Sequence, residues 1–157
     1  MPITIKLVTN SQQNADAQQL FTAYSKALGA DLTFQQFDTE LQHPLQYYTN
    51  ANGCILLAYA NEEQPAIGCI AVKGLSNHTA EMKRMYVQPN YRSQGIGQLL
   101  INAFMQQAKA LGYTTVVLDT LQQLTAAIKL YEKNGFTPTT AYYHNPLEDV
   151  VYMKRDI

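Results

Sequence analysis

The chain has 157 residues, enough for one domain with its own core, and an apolar fraction of 46% excludes a disordered chain. A net charge of −1 gives no bulk attraction to nucleic acid or to an anionic membrane, and no apolar run approaches the roughly 18 residues of a membrane span. Residues 1–10 alternate in polarity and lack the apolar block of a signal peptide, so the expectation is a single cytoplasmic domain over 1–157 that binds neither nucleic acid nor membrane.

The alternation at the start, Ile3, Ile5 and Leu7 against Thr4 and Lys6, predicts a half-buried strand. Ala17, Leu20, Phe21, Tyr24 and Leu28 then recur at helical spacing, and Gly29 stops that helix. Thr33 and Gln36 have the spacing of a capping box for a second helix. Phe34, Phe37 and Leu41 would line its inner face, and Pro44 should break or kink it. Two apolar runs, 54–60 and 66–72, flank a polar turn and predict an antiparallel hairpin. The two cysteines, Cys54 and Cys69, lie in these runs without zinc-type spacing; they read as free, buried thiols, and no metal site is expected.

A third run, 79–87, is expected to put Glu81, Lys83, Met85 and Val87 on one side and Met82, Arg84 and Tyr86 on the other. A long amphipathic helix follows over about 95–111 and ends at Gly112. Residues 114–118 are β-branched and short, the pattern of a buried central strand. A helix over about 123–134 ends at Gly135, and 136–143 and 150–155 read as closing strands. The strand–helix–strand unit between Tyr86 and Leu118 demands a right-handed crossover between parallel strands, whereas the preceding hairpin is antiparallel. The sheet is therefore mixed, with helices on both faces.

The segment between the third run and the long helix is Arg92-Ser93-Gln94-Gly95-Ile96-Gly97. Free N–H groups at a helix N-terminus favour an anion, glycines let phosphate oxygens approach the backbone, and Arg92 adds a fixed charge. Gly-x-Gly after a strand also serves as a plain tight turn. No Gly-Lys-Ser/Thr follows, so this is not a P-loop, and Leu100 with the wrong strand pattern excludes a Rossmann dinucleotide site.

Residues 81–89 followed by 91–97 closely resemble the acetyl-CoA-binding core of GNAT N-acetyltransferases, whose Arg/Gln-x-x-Gly-x-Gly/Ala pattern is met by Arg92, Gly95 and Gly97. Residues 127–136 resemble the second signature of that family, at the usual separation; Leu124 stands where many relatives carry Asn. The resemblance implies an α/β fold with a mixed, mostly antiparallel central sheet of about seven strands and about four helices. In such a fold the strand ending at Val87 splays from its parallel neighbour to form an acetyl-CoA cleft.

The implied activity is direct acetyl transfer from acetyl-CoA, a co-substrate, to a primary amine of a small molecule or protein, with no metal. Backbone groups of Met85, Tyr86 and Val87 would pair with the pantetheine arm, and Arg92, Ser93, Gln94, Gly95, Ile96, Gly97 and Gln98 would hold the pyrophosphate. Tyr131 matches the tyrosine aimed at the coenzyme A sulfur, and Glu81 a strand carboxylate used as base. Phe37, Asp119, Tyr142, Tyr143 and His144 are weaker candidates for the acceptor side. A non-catalytic acetyl-CoA-binding module is the alternative, which Tyr131 together with Glu81 disfavours. A homodimer is compatible with the sequence, although no pattern in it requires one.

Overall fold

The computed structural model describes residues 2–29, 32 and 36–157. Its elements are β1 (Thr4–Leu7), α1 (Ser11–Leu28), α2 (Phe37–Gln42), α3 (Pro44–Asn50), β2 (Cys54–Tyr59), β3 (Gly68–Gly74), β4 (Thr79–Val87), α4 (Ile96–Ala110), β5 (Thr115–Leu121), α5 (Thr125–Lys133), β6 (Thr137–Pro138) and β7 (Val150–Asp156), with a 3-10 turn at Pro89–Tyr91. The strands form one seven-stranded sheet in the order β1-β2-β3-β4-β5-β7-β6. Among the described residues only β4 and β5 pair parallel. The expected α/β class with a mixed, mostly antiparallel sheet is what the chain adopts.

Local chemistry explains most boundaries. Asn10 caps α1 by accepting the Gln13 N–H at 2.8 Å, and Gly29 ends it in the left-handed region at φ 65°. Pro44 does not merely break the second helix: it opens a further one, α3, at a position where no helical N–H is needed. Phe37 and Leu41 pack inward as anticipated, while Thr33 and Phe34 lie outside the described residues. Strand β5 runs three residues past the expected end, so Asp119 and Thr120 belong to the ladder and pair with Tyr152 and Val151. The expected strand 136–143 shrinks to Thr137–Pro138; Pro138 has no N–H to donate, and residues 139–149 form a loop.

Each face of the sheet carries its own core. On one face Leu56, Ala58, Ile70, Val72, Ala80, Met82, Val116 and Leu118 pack against α4 through Leu100, Ile101 and Phe104. On the other, Ile55, Leu57, Cys69 and Ala71 pack against Leu20, Phe21, Phe37 and Tyr48. The period-2 alternation thus assigns each strand residue to one of two helical layers.

Strand β4 departs from that alternation. Its register against β3 shifts between Cys69 and Ala71, so Arg84 and Met85 together oppose Ile70, and Arg84 takes φ 59°. This is a β-bulge. It corrects the expected sidedness: Met82, Met85 and Val87 share the α4 face, whereas Glu81 and Lys83, together with Arg84 and Tyr86, belong to the face of α1 and α2. The physical reason is charge. A central strand covered on both faces cannot place Arg84 in an apolar layer, and the extra residue turns it toward Glu40.

Candidate active site

Strands β4 and β5 pair over only three residues, Thr79 with Thr115, Ala80 with Val116 and Glu81 with Val117. Beyond that point β4 continues to Val87 and β5 to Leu121 without further pairing between them. The bulge at Arg84 supplies the local twist that separates the two strands. The splayed cleft therefore opens at Glu81, and the remaining length of β4, with Met85, Tyr86 and Val87 half-buried, forms its edge.

Helix α4 begins just past the end of β4. The first bond of its ladder runs from Leu99 N–H to Gly95 C=O at 3.2 Å, so the amides of Ile96, Gly97 and Gln98 precede it and are not used within the helix. Gly95 is the N-cap, at φ 81°, and a Cβ there would stand in open space. Ser93 also has positive φ, 63°, and the loop from Arg92 to Gly95 is exposed. A concave turn of backbone ending on a helix N-terminus fits the diphosphate of a nucleotide-like ligand.

Four of the residues expected here also make contacts within the fold. The side chain of Ile96 is core, 1% exposed, so only its backbone faces outward. A Cβ on Gly97 would meet Leu130 Cδ2 at 3.0 Å, so this glycine lets α4 and α5 approach closely. A reciprocal amide pair reinforces that contact: Gln98 donates to Asn134 Oδ1 at 2.8 Å, and Asn134 donates to Gln98 Oε1 at 2.9 Å. The Arg92 side chain folds back, donating Nε–H to the Val87 carbonyl at 2.9 Å with its guanidinium over the Tyr86 ring.

Tyr131, on α5, is 7% exposed and packs edge-on against Phe136 at 6.0 Å between centroids. Burial pushes its phenol well up from the ordinary range, so the hydroxyl keeps its proton and remains a donor. Glu81 is 3% exposed. Its Oε1 lies 3.6 Å from Lys83 Nζ, and its Oε2 accepts the Tyr142 hydroxyl at 2.5 Å. Tyr143 donates its hydroxyl to Asp119 Oδ2, which also accepts Asn145 Nδ2–H at 3.1 Å. The two carboxylates sit at the fork of the strands, and the loop 139–149 presents one tyrosine to each. Burial, then the charges of Glu81 and Asp119, raises the Tyr142 phenol; burial and the bond to Asp119 raise that of Tyr143.

Phe37, also a candidate for the acceptor side, lies in the inner layer. It is 7% exposed, with its ring 5.1 Å from the Arg84 guanidinium, and belongs to the core beneath the site. His144 is exposed at the loop tip. Of the cysteines, Cys69 is buried and donates to the Arg84 carbonyl at 3.1 Å, while Cys54 is only half-buried. Burial raises both thiols, that of Cys54 to about 11, which leaves neither poised as a nucleophile.

Sequence reasoning missed the charged layer beneath the cleft. Arg84 reaches Glu40 through Nε and Nη2 at 2.9 and 2.8 Å, and Tyr48 donates to the same carboxylate at 2.7 Å. Lys83 is 7% exposed; burial, then the Arg84 charge, lowers its proton affinity against the pull of Glu81 and Asp119. The signal was present: Lys83 and Arg84 are consecutive charges in a strand whose neighbours are Met82 and Met85, which simple alternation cannot bury on one polar side. Among the described residues no cluster of His, Cys, Asp or Glu could hold a metal ion. No described helix is long and apolar enough to cross a membrane.

Residues 14–136 match the model of the acetyltransferase (GNAT) family. An uncharacterized N-acetyltransferase of Schizosaccharomyces pombe is 40% identical over 156 residues, covering 99% of this chain and 95% of that one. An acetyltransferase of Streptococcus agalactiae superposes with a TM-score of 0.82 at 25% identity, covering 99% of this chain and 98% of the other. A GNAT acetyltransferase of Elizabethkingia anophelis, solved with acetyl-CoA bound, superposes with a TM-score of 0.68 at 25% identity over 99% and 98% of the two chains. With its sheet forked at Glu81, a glycine-capped helix at the fork and these likenesses, the chain belongs to the GNAT family of acetyltransferases and is an acyltransferase.

Proposed function

We propose that the protein transfers the acetyl group of acetyl-CoA directly to a primary amine. The observation that carries this reading is the fork itself: β4 loses its parallel partner after Glu81, and the free amides of α4 lie just beyond it. The fork edge at Met85–Val87 suits an extended pantetheine arm, and the loop and helix start from Arg92 to Gln98 suit its diphosphate. Bound there, acetyl-CoA would supply an activated thioester carbonyl. A screen of primary amines with acetyl-CoA and a free-thiol readout tests the reading. Release of thiol that depends on an amine is expected. Coenzyme A binding with no turnover on any amine would leave a binding module instead.

The cradle has its own test. Gly95→Asn tolerates the left-handed backbone at low cost and fills the space where a Cβ is now missing. It is expected to melt within a few degrees of wild type while binding coenzyme A at least about tenfold more weakly, the equivalent of about 1.4 kcal/mol. Unchanged affinity by calorimetry would move the diphosphate off this turn. Gly95→Val is a poorer probe, since a β-branched residue at φ 81° is strained with or without a ligand.

Chemistry in this reading divides between two residues. Glu81 takes the proton that the acceptor ammonium must lose before its nitrogen can attack. Tyr131 donates a hydrogen bond to the departing thiolate as charge builds on sulfur; its raised phenol makes outright proton loss costly, so a strengthening hydrogen bond is the fitting role. Tyr131→Phe removes the hydroxyl and keeps the ring against Phe136. It is expected to lower kcat about 10-fold to 10²-fold with little change in KM, because the interaction develops in the transition state. Normal kcat with normal melting would make Tyr131 a core residue only.

A further inference from the structure

Glu81 is badly placed to meet an amine by itself. It is 3% exposed, and both of its oxygens are engaged, Oε1 beside Lys83 Nζ at 3.6 Å and Oε2 by the Tyr142 hydroxyl at 2.5 Å. Tyr142 is half-buried, stands on the loop between β6 and β7, and brings its hydroxyl to Glu81 at the point where β4 and β5 part. Its ring is held against Tyr143 and Tyr152 at 5.2 and 5.5 Å between centroids. A tyrosine hydroxyl that donates its one hydrogen still has lone pairs free to accept another. The groups around this pair are Lys83 on the same strand, Asp119 on β5 and the Arg84–Glu40 ion pair beneath.

We infer that Tyr142 is a further catalytic residue, the group that touches the acceptor ammonium and relays its proton to Glu81. This rests on the reading of Glu81 as the base. The ammonium donates one N–H to Tyr142 Oη. As that proton moves to the phenol oxygen, the proton already on Tyr142 moves along the existing hydrogen bond to Glu81 Oε2. The products are a neutral amine, a neutral tyrosine and a protonated Glu81, so charge and protons balance and no tyrosinate forms. The concerted form matters because burial, and then the charges of Glu81 and Asp119, make a free phenolate unfavourable.

The experiment compares wild type, Glu81→Gln, Tyr142→Phe, Tyr143→Phe and Lys83→Met on two substrates: an alkylamine found active in the screen and its fluorinated analogue, which is weakly basic and already neutral at the assay pH. A relay is needed only for the first. Tyr142→Phe is expected to lower kcat/KM about 10²-fold for the alkylamine and several-fold or less for the fluorinated amine, with Glu81→Gln showing the same selectivity. Tyr143→Phe loosens the same loop by releasing Asp119, and its loss should be alike for both amines. If Glu81→Gln is selective but Tyr142→Phe costs nothing, or costs the same with both amines, the relay is wrong while the base reading stands. If Glu81→Gln itself shows no selectivity, the base reading fails and the relay with it. Selective loss confined to Lys83→Met would route the proton through the lysine and overturn the proposal.

Discussion

Replacing Glu81 with Gln is expected to lower kcat about 10²-fold to 10⁴-fold at neutral pH, the range over which a positioned base contributes. Gln preserves the shape of the side chain and an oxygen to accept the Tyr142 hydroxyl, so the loop 139–149 should stay in place. It cannot take a proton. Without a base the variant depends on acceptor that is already neutral, so its rate should climb with pH as the free amine becomes abundant. The substitution also removes the negative charge 3.6 Å from the Lys83 ammonium, and a lower melting temperature should accompany the kinetic loss. Steady-state kinetics from acid to alkaline pH, beside a coenzyme A titration showing intact cofactor affinity, check the prediction. A variant with wild-type kcat and the wild-type pH dependence would falsify the role.

The largest effect on stability is expected at a residue in the charged layer beneath the cleft. Glu40 is fully buried and receives two bonds from Arg84 and one from Tyr48. Glu40→Ala takes the carboxylate from a buried guanidinium that cannot reach solvent, at a cost of about 3–5 kcal/mol. For a chain of this size each kcal/mol corresponds to about 2–4 °C of melting temperature, so a fall on the order of 10 °C is expected. The double variant Glu40→Leu with Arg84→Met should recover much of that loss, since apolar residues of similar volume replace buried ion pairs at little net cost. Its activity should not recover with it. Arg84 forms the bulge at φ 59°, and its side chain is held by Glu40 while its carbonyl accepts Cys69 Sγ. Without that anchor the β4 edge at Met85–Val87 loses its register, and coenzyme A affinity falls even as the melting temperature returns. Thermal denaturation and calorimetric titration of the three proteins separate the two effects. Recovery of both together would show that the bulge does not depend on the ion pair.

The elements and the glycine-capped turn before α4 were legible in the chain because each rests on chemistry between near neighbours. The spacing of Leu20, Phe21 and Tyr24 sets α1, Gly29 and Gly112 end helices where φ turns positive, and Gly95 caps α4 for the same reason. Where the local pattern is weak, legibility fails. The proline that reads as a helix break begins α3, and the aromatic run after Phe136 looks like a strand but pairs over two residues. The tyrosine–carboxylate contacts at the fork join residues far apart in the chain. Tyr142 meets Glu81 across 61 residues and Tyr143 meets Asp119 across 24, contacts that exist only because β7 returns beside β5 and carries the loop over the fork. Glu40 and Arg84, 44 residues apart, find each other because a bulge turns one strand residue toward the α1–α2 layer. Local periodicity specifies which residues share a face of an element. Which faces then meet is set by the register and order of the sheet, and that is where Glu81, Tyr142 and the buried pair of Arg84 and Glu40 are brought together.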